Sequence, residues 1–241
     1  MQQPSQARPA GTVATIHRYP VKSVLGETLD QVALDCRGLD GDRLWSVRDP
    51  DGKLGSGKST RRFRRMDGLL RLAARYDGQT PVIEFPDGRL LRGDDPEVHA
   101  ALSAHVGRPV TLARESDVSH FDGGPVHLVT TSALRFIENA HGGAVDPRRL
   151  RPNLVVATDD GPGMVEETWV GRRVAVGSQV VLQVTTPVPR CVMLNLPQNG
   201  LAGDPFLLDT VTAVNDMNLG VIADVLSPGI ARTGDPVRLI G

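Results

Sequence analysis

Cysteine is scarce in this chain. Its 241 residues hold two, Cys36 and Cys191. Two thiols at that spacing make no disulfide framework and no zinc finger. They also cannot hold a four-thiolate iron–sulfur cluster within the chain. Aromatic residues are only 4%, so the core must rest on Val, Leu, Ile and Ala. Lysine is rare as well: of 27 basic residues, only Lys22, Lys53 and Lys58 are not arginine. Together with the abundance of Ala and Gly, that bias points to a GC-rich bacterial genome. No apolar run approaches a membrane span, and Met1 to Ala10 lacks the apolar stretch of a secretory signal. Residues 1–10 read as a flexible N-terminus. The expectation is a cytoplasmic protein with no membrane partner. A formal net charge of −1 argues against a general nucleic-acid binder.

The chain does carry β patterning in a globular composition, 40% hydrophobic and 23% charged. Residues 12–16 and 31–34 read as strands around the loop Tyr19-Pro20-Val21-Lys22-Ser23. Residues 44–48 come next and stop at the turn Asp49-Pro50-Asp51-Gly52. Residues 69–76 and 81–85 read as strands, the second running into a hairpin turn at Pro86-Asp87-Gly88-Arg89. Helix spacing covers residues 95–106, with Pro96 suited to the first helical position. It covers residues 133–139 as well, with Ser132 as N-cap. Further strands are expected at 126–130, 154–157, 173–176, 180–185 and near the end of 229–239. A polar shift at residues 114–125 suggests a boundary between units 11–113 and 114–241. Many short strands with few helices indicate a mainly β (α+β) fold of barrel or sandwich type.

Candidate chemistry centres on Thr186-Pro187-Val188-Pro189-Arg190-Cys191. The two prolines should end the strand before them, because proline gives no N–H to a ladder. A cysteine beside a fixed positive charge favours its thiolate, the form that binds a soft metal or attacks an electrophile. The competing reading is a small buried hydrophobe, which is how Cys36 is read. A second motif, Gly52-Lys53-Leu54-Gly55-Ser56-Gly57-Lys58-Ser59, satisfies the pattern of a phosphate-binding loop. Its context does not: four arginines crowd the segment after it, where a helix N-terminus disfavours positive charge. The strand before it is polar rather than continuously apolar. A basic loop over some other phosphate, or a solvated loop, fits as well.

Four stretches in order resemble the MOSC family, the molybdenum-cofactor sulfurase C-terminal domain, with its N-terminal β-barrel companion. They are Arg18-Tyr19-Pro20-Val21-Lys22-Ser23 with Gly38-Leu39-Asp40-Gly41-Asp42-Arg43, then Val129-Thr130-Thr131-Ser132, then Arg151-Pro152-Asn153-Leu154, then Pro189-Arg190-Cys191-Val192. The resemblance implies a MOSC-type barrel (114–241) with a smaller N-terminal β-rich domain (11–113). It implies a molybdenum cofactor, molybdenum on molybdopterin, held between them. Cys191 would be the catalytic metal ligand. Lys22, Ser23 and Arg43 would hold the pterin phosphate, and Thr131, Ser132, Arg151, Asn153 and Arg190 would line the cofactor. Arginine forks and a lysine point charge suit a phosphate. An extended backbone at Pro152 would put Arg151 and Asn153 on one face. Lys58 and its loop are expected to cover the cofactor.

Three functions are compatible with these residues. The first is a molybdenum-dependent oxidoreductase that reduces small N-hydroxylated (N–O) compounds. The chain carries no cysteines for an iron–sulfur domain, so its electrons would come from a separate protein. Pyridoxal-phosphate chemistry is not expected, because no domain of that kind fits in this length. The second is a sulfur or cofactor carrier working through a Cys191 persulfide or thiolate. The third is a phosphate-loop nucleotide binder using Lys58 and Ser59.

Overall fold

The structure is a computed structural model that describes residues 8–159 and 161–240. Most of the expected flexible N-terminus thus lies outside the described residues. Seven strands close into a barrel: Arg8–Arg18, Leu154–Ala157, Val126–Thr130, Asn218–Ser227, Val180–Pro189, Arg173–Val176 and Pro236–Ile240, in that spatial order. Closure comes from the first strand, which pairs antiparallel with both Leu154–Ala157 and Pro236–Ile240. Three α-helices occur among the described residues: α1 Val98–Val106, α2 Thr131–His141 and α3 Leu207–Asn215. The fold is mainly β, as the patterning indicated.

The side-chain period of two decides what each barrel strand touches. Along Val126–Thr130 every residue is buried. Val126 and Leu128 point into the barrel core, while Val129 packs outward under α2 with Ala133 and Ile137. Leu154 and Val156 turn inward and Val155 outward in the same way. These two strands pair in parallel, with α2 in the crossover between them. A helix layer over one side explains why they read as continuous apolar runs. The N-terminal residues build a second core around Val47, Leu72, Ile83 and Leu102, beneath smaller sheets and α1. The strand Thr111–Arg114 pairs with Trp45–Arg48 in that region, whereas Arg8–Arg18 belongs to the barrel.

Several local expectations need correction. The prolines do not end the strand at residue 185. It continues to Pro189, with register shifts at Val184/Thr186 and Pro187/Pro189 that leave each proline at a bulge. Helix α2 is capped by Thr130, whose side chain accepts from Ala133 N, and Ser132 lies inside the helix. Helix α1 starts at Val98, so Pro96 precedes it. Residues 69–71 form a 3-10 turn before the strand Ala73–Asp77. Cys36 is exposed, not core. The Gly52–Ser59 motif is no phosphate loop. Its middle is the strand Leu54–Ser56. Beyond Lys58 the chain makes a bend and the strand Phe63–Arg65, with no helix to point N–H groups at a phosphate.

One carboxyl lies wholly inside. Glu166 is fully buried; Thr130 Oγ1 donates to its Oε2 at 2.6 Å, and its Oε1 has no partner. Burial raises its pKa to about 7. The folded state therefore holds a proton that the unfolded chain releases near the ordinary carboxyl pKa of 4.5. Stability should fall as pH rises from about 4.5 through 7. Glu166→Gln should abolish that slope and be more stable above pH 7 by about 3 kcal/mol, at 1.36 kcal/mol per pKa unit. Urea midpoints of both proteins at pH 5 and pH 8 check this; parallel pH profiles would refute it.

Candidate functional site

A cavity of ≈ 460 Å³ opens where the N-terminal loops meet the barrel rim. The segment after the first strand brings Lys22, Ser23 and Arg43. The turn Pro147–Arg149 and the residues beyond it bring Arg149 and Arg151. The bulged strand delivers Arg190 and Cys191 just past its end. Lys58 reaches the cavity from the glycine-rich segment. Seven of the residues singled out in the sequence thus line one cavity: Lys22, Ser23, Arg43, Lys58, Arg151, Arg190 and Cys191.

Thr131, Ser132 and Asn153 do not line it. Thr131 Oγ1 accepts from Thr158 N and Ser132 Oγ donates to Gly161 O, so both side chains fasten the start of α2 to the loop after the strand Leu154–Ala157. Asn153 is buried behind the cavity wall. Its Oδ1 accepts from His127 N at 3.0 Å and from Arg43 Nη1 at 3.4 Å. The shared face expected of Arg151 and Asn153 fails because Arg151 has a left-handed backbone, φ 56°.

Ser23 (φ 61°) and Arg43 (φ 50°) are left-handed too. Non-glycine residues hold that conformation at a cost of roughly 1–3 kcal/mol each, and only where the surroundings fix them. Here they do. Tyr19 N donates to Asp42 Oδ1 (2.8 Å), Arg43 N to Tyr19 O (2.6 Å) and Ser23 Oγ to Gly55 O (3.0 Å). The guanidiniums of Arg43 and Arg151 lie 4.9 and 4.2 Å from the centre of the buried Tyr19 ring. The ring's π face attracts both cations, and Asp42, fully buried, forms an ion pair with Arg43.

The wall is strongly positive although the chain is nearly neutral. Lys22 is 2% exposed, donates to His120 O (2.9 Å) and pairs with Asp122 (2.9 Å). Burial pulls its pKa down to about 8, against the pull of Asp122. Arg190 Nη2 donates to Leu150 O at 2.6 Å, and Arg151 Nη1 to Val24 O at 2.8 Å. Burial lowers both pKa values to about 10, so both stay charged at neutral pH. Neither pairs with a carboxylate among the described residues, and Arg151 Nη2 is buried with no partner. An anion entering the cavity would supply the missing counter-charge.

His127, Asp122 and Arg149 are site residues that sequence reasoning missed. His127 sits within an apolar strand run, and Asp122 and Arg149 in ordinary polar segments, so nothing local marked them. Burial, followed by the charge of Arg190, holds the His127 pKa well below its usual value, so its ring is neutral. Its Nδ1 lies 3.2 Å from Arg151 O and its Nε2 3.5 Å from Arg190 Nη1. That assigns Nδ1–H as donor and Nε2 as acceptor. Gly220 (φ 81°) backs the ring, and a Cβ there would lie 2.6 Å from Nε2.

Residues 103–238 match the family model of the MOSC domain. The chain belongs to the MOSC family. Residues 10–99 match the MOSC N-terminal beta barrel domain. This MOSC protein is similar to mitochondrial amidoxime reducing component 2 of Homo sapiens, 23% identical over 94% of this chain and 83% of that protein. It is also similar to mitochondrial amidoxime-reducing component 1 of Mus musculus, 22% identical over 96% of this chain and 83% of that protein. Its fold matches the crystal structure of the YUAD protein from Bacillus subtilis, with a TM-score of 0.51 and 15% identity over 99% and 98% of the two chains.

The Lys22–Asp122 pair gives a direct test. Asp122→Asn removes the carboxylate that holds up the Lys22 pKa, so its titration midpoint should drop below about 8. With three lysines in the chain, Lys22 can be followed by NMR of its side-chain amine. An unmoved midpoint would refute the pairing.

Proposed function

We propose that this MOSC protein binds the molybdenum cofactor in the cation-lined cavity and reduces small N-hydroxylated compounds, with electrons from a separate protein. The observation that carries the reading is the partly exposed Cys191 in one cavity with two half-buried arginines that lack counter-charge. The donor set suits the group. A thiolate is a ligand for a soft metal, and the partnerless Nη2 of Arg151 has a hydrogen bond to give to a phosphate oxygen. The names of the amidoxime-reducing relatives supply the substrate type.

Cys191 would hold the metal. Arg43, Arg151 and Arg190 would bind the phosphorylated pterin, with Lys22 and Ser23 beside them. When bound, the cofactor supplies the two-electron chemistry that side chains lack. The chain's own work is placement and charge. Tyr19 and Asp42 fix the guanidinium of Arg43. Neutral His127 accepts from Arg190 without adding a further positive charge. Asn153 is a positioning residue for Arg43, and Thr131 and Ser132 secure α2 behind the barrel wall. Lys58 stands at the edge, its Nζ 5.4 Å from the centre of the Phe63 ring. A second reading, a carrier of sulfur or of cofactor, draws on the partial exposure of Cys191.

Protein made in a host that synthesises the cofactor should contain near-stoichiometric molybdenum, and Cys191→Ser should lose most of it. Elemental analysis checks this, and a molybdenum-free parent would refute the proposal. Turnover of an N-hydroxylated compound with an artificial electron donor should track metal content; metal without turnover would favour the carrier. Lys58→Ala should retain several-fold less cofactor after dialysis. Unchanged retention would remove Lys58 from the site.

A further inference from the structure

The cavity lining is not all charged. It also carries Pro187, Val188 and Ile222, together with Gly123 and Gly124. Thr186 pairs with Ile222 across the two neighbouring strands, and the register shift between Pro187 and Pro189 falls where Pro187 and Val188 line the cavity. Gly124 lies so close to Ile222 that a Cβ there would collide with its Cγ2. Gly123 is different. A Cβ there would touch Ile222 Cγ1 and Cδ1 at 3.5 and 3.6 Å, an ordinary contact, with open space otherwise. Its φ is outside the left-handed region, so its missing side chain is not required by the backbone. The result is bare room over an apolar side chain in the lining of a charged cavity. The lone acid on the lining, Asp122, is taken by Lys22.

We propose that Gly123 and Ile222 are specificity-determining: they form an apolar slot that selects uncharged N-hydroxy compounds carrying a flat apolar group, because a charge placed against it would lose its water without gaining a partner. This deepens the function proposed above and rests on it for the N–O group. The physical basis is separate. Ligand sites are mostly apolar with a few polar groups that orient. Removing room for even one methylene from such a slot changes discrimination by about 10- to 200-fold.

The test is calorimetric binding to the intact protein as purified, with phenylhydroxylamine, its para-aminomethyl cation and hydroxylamine as probes. Binding is read without turnover, and molybdenum is measured on every sample. Phenylhydroxylamine should bind at least about tenfold more tightly than hydroxylamine or the cation. In Gly123→Val the phenyl-to-hydroxylamine affinity ratio should fall at least about tenfold, and in Ile222→Thr it should fall in the same direction. Ile222→Thr keeps β-branching, so it guards against a misfolded first variant. An unchanged ratio in both variants would overturn the proposal. So would a Gly123→Val protein that folds but has lost its molybdenum, because the slot would then belong to the cofactor. If the parent contains no molybdenum but keeps the phenyl preference, the reductase reading fails and the slot stands.

Discussion

Two guanidiniums resting on one tyrosine ring hold this site together. Arg43 and Arg151 are brought near each other in a partly buried place, where like charges repel and water screens them less than on an open surface. The Tyr19 ring takes both, and Asp42 neutralises one. The arrangement reaches across the molecule. Tyr19 stands just past the end of the first barrel strand, Arg43 comes from the N-terminal unit, and Arg151 comes from the entry to the strand Leu154–Ala157. Tyr19 Oη donates to Pro152 O, and Arg43 Nη2 donates to Arg151 O. The same contacts that tie the two halves together thus fix the cavity's charge. Strain at Ser23, Arg43 and Arg151 is tolerated because those contacts leave the loops no alternative.

The remaining charge has no carboxylate partner among the described residues. Arg151 keeps one buried N–H group without an acceptor, and Arg190 satisfies its donors on carbonyls rather than carboxylates. Leaving such a charge without a partner costs stability. His127 obeys the same constraint: a charged imidazole beside Arg190 would add repulsion, and burial keeps it neutral.

Much of the fold was legible because alternation and turn chemistry are local. The strands Val126–Thr130, Leu154–Ala157 and Arg173–Val176 fall where the pattern put them. Failures occurred where tertiary contacts overrode a local rule. Pro187 and Pro189 stay in a strand because bulges relieve the missing donors. Ser132 loses the cap to Thr130, whose extended backbone is the one that a cap needs. The Gly-Lys-Ser segment carries a perfect motif string, yet Gly55 and Gly57 serve packing, and a Cβ on Gly57 would lie 2.6 Å from Leu196 Cδ1. Of the site, the cations and Cys191 could be found from motif order. His127, Asp122 and the apolar slot could not, because they become neighbours only through strand pairing and loop closure.

The barrel's seam has a consequence for synthesis. Its opening strand, Arg8–Arg18, finds partners only in Leu154–Ala157 and Pro236–Ile240 among the seven barrel strands. During translation only its end, Ile16 to Arg18, finds an early partner in Glu27–Leu29; the rest waits for Leu154–Ala157 and then for the last strand of the barrel. Such long sequence separation slows folding and exposes an unpaired edge meanwhile. The intervening N-terminal core, with its short-range hairpins, can form first and hold the waiting strand's far end in place. The molecule would then fold from the middle outward, and the barrel, with the cavity at its rim, would close last.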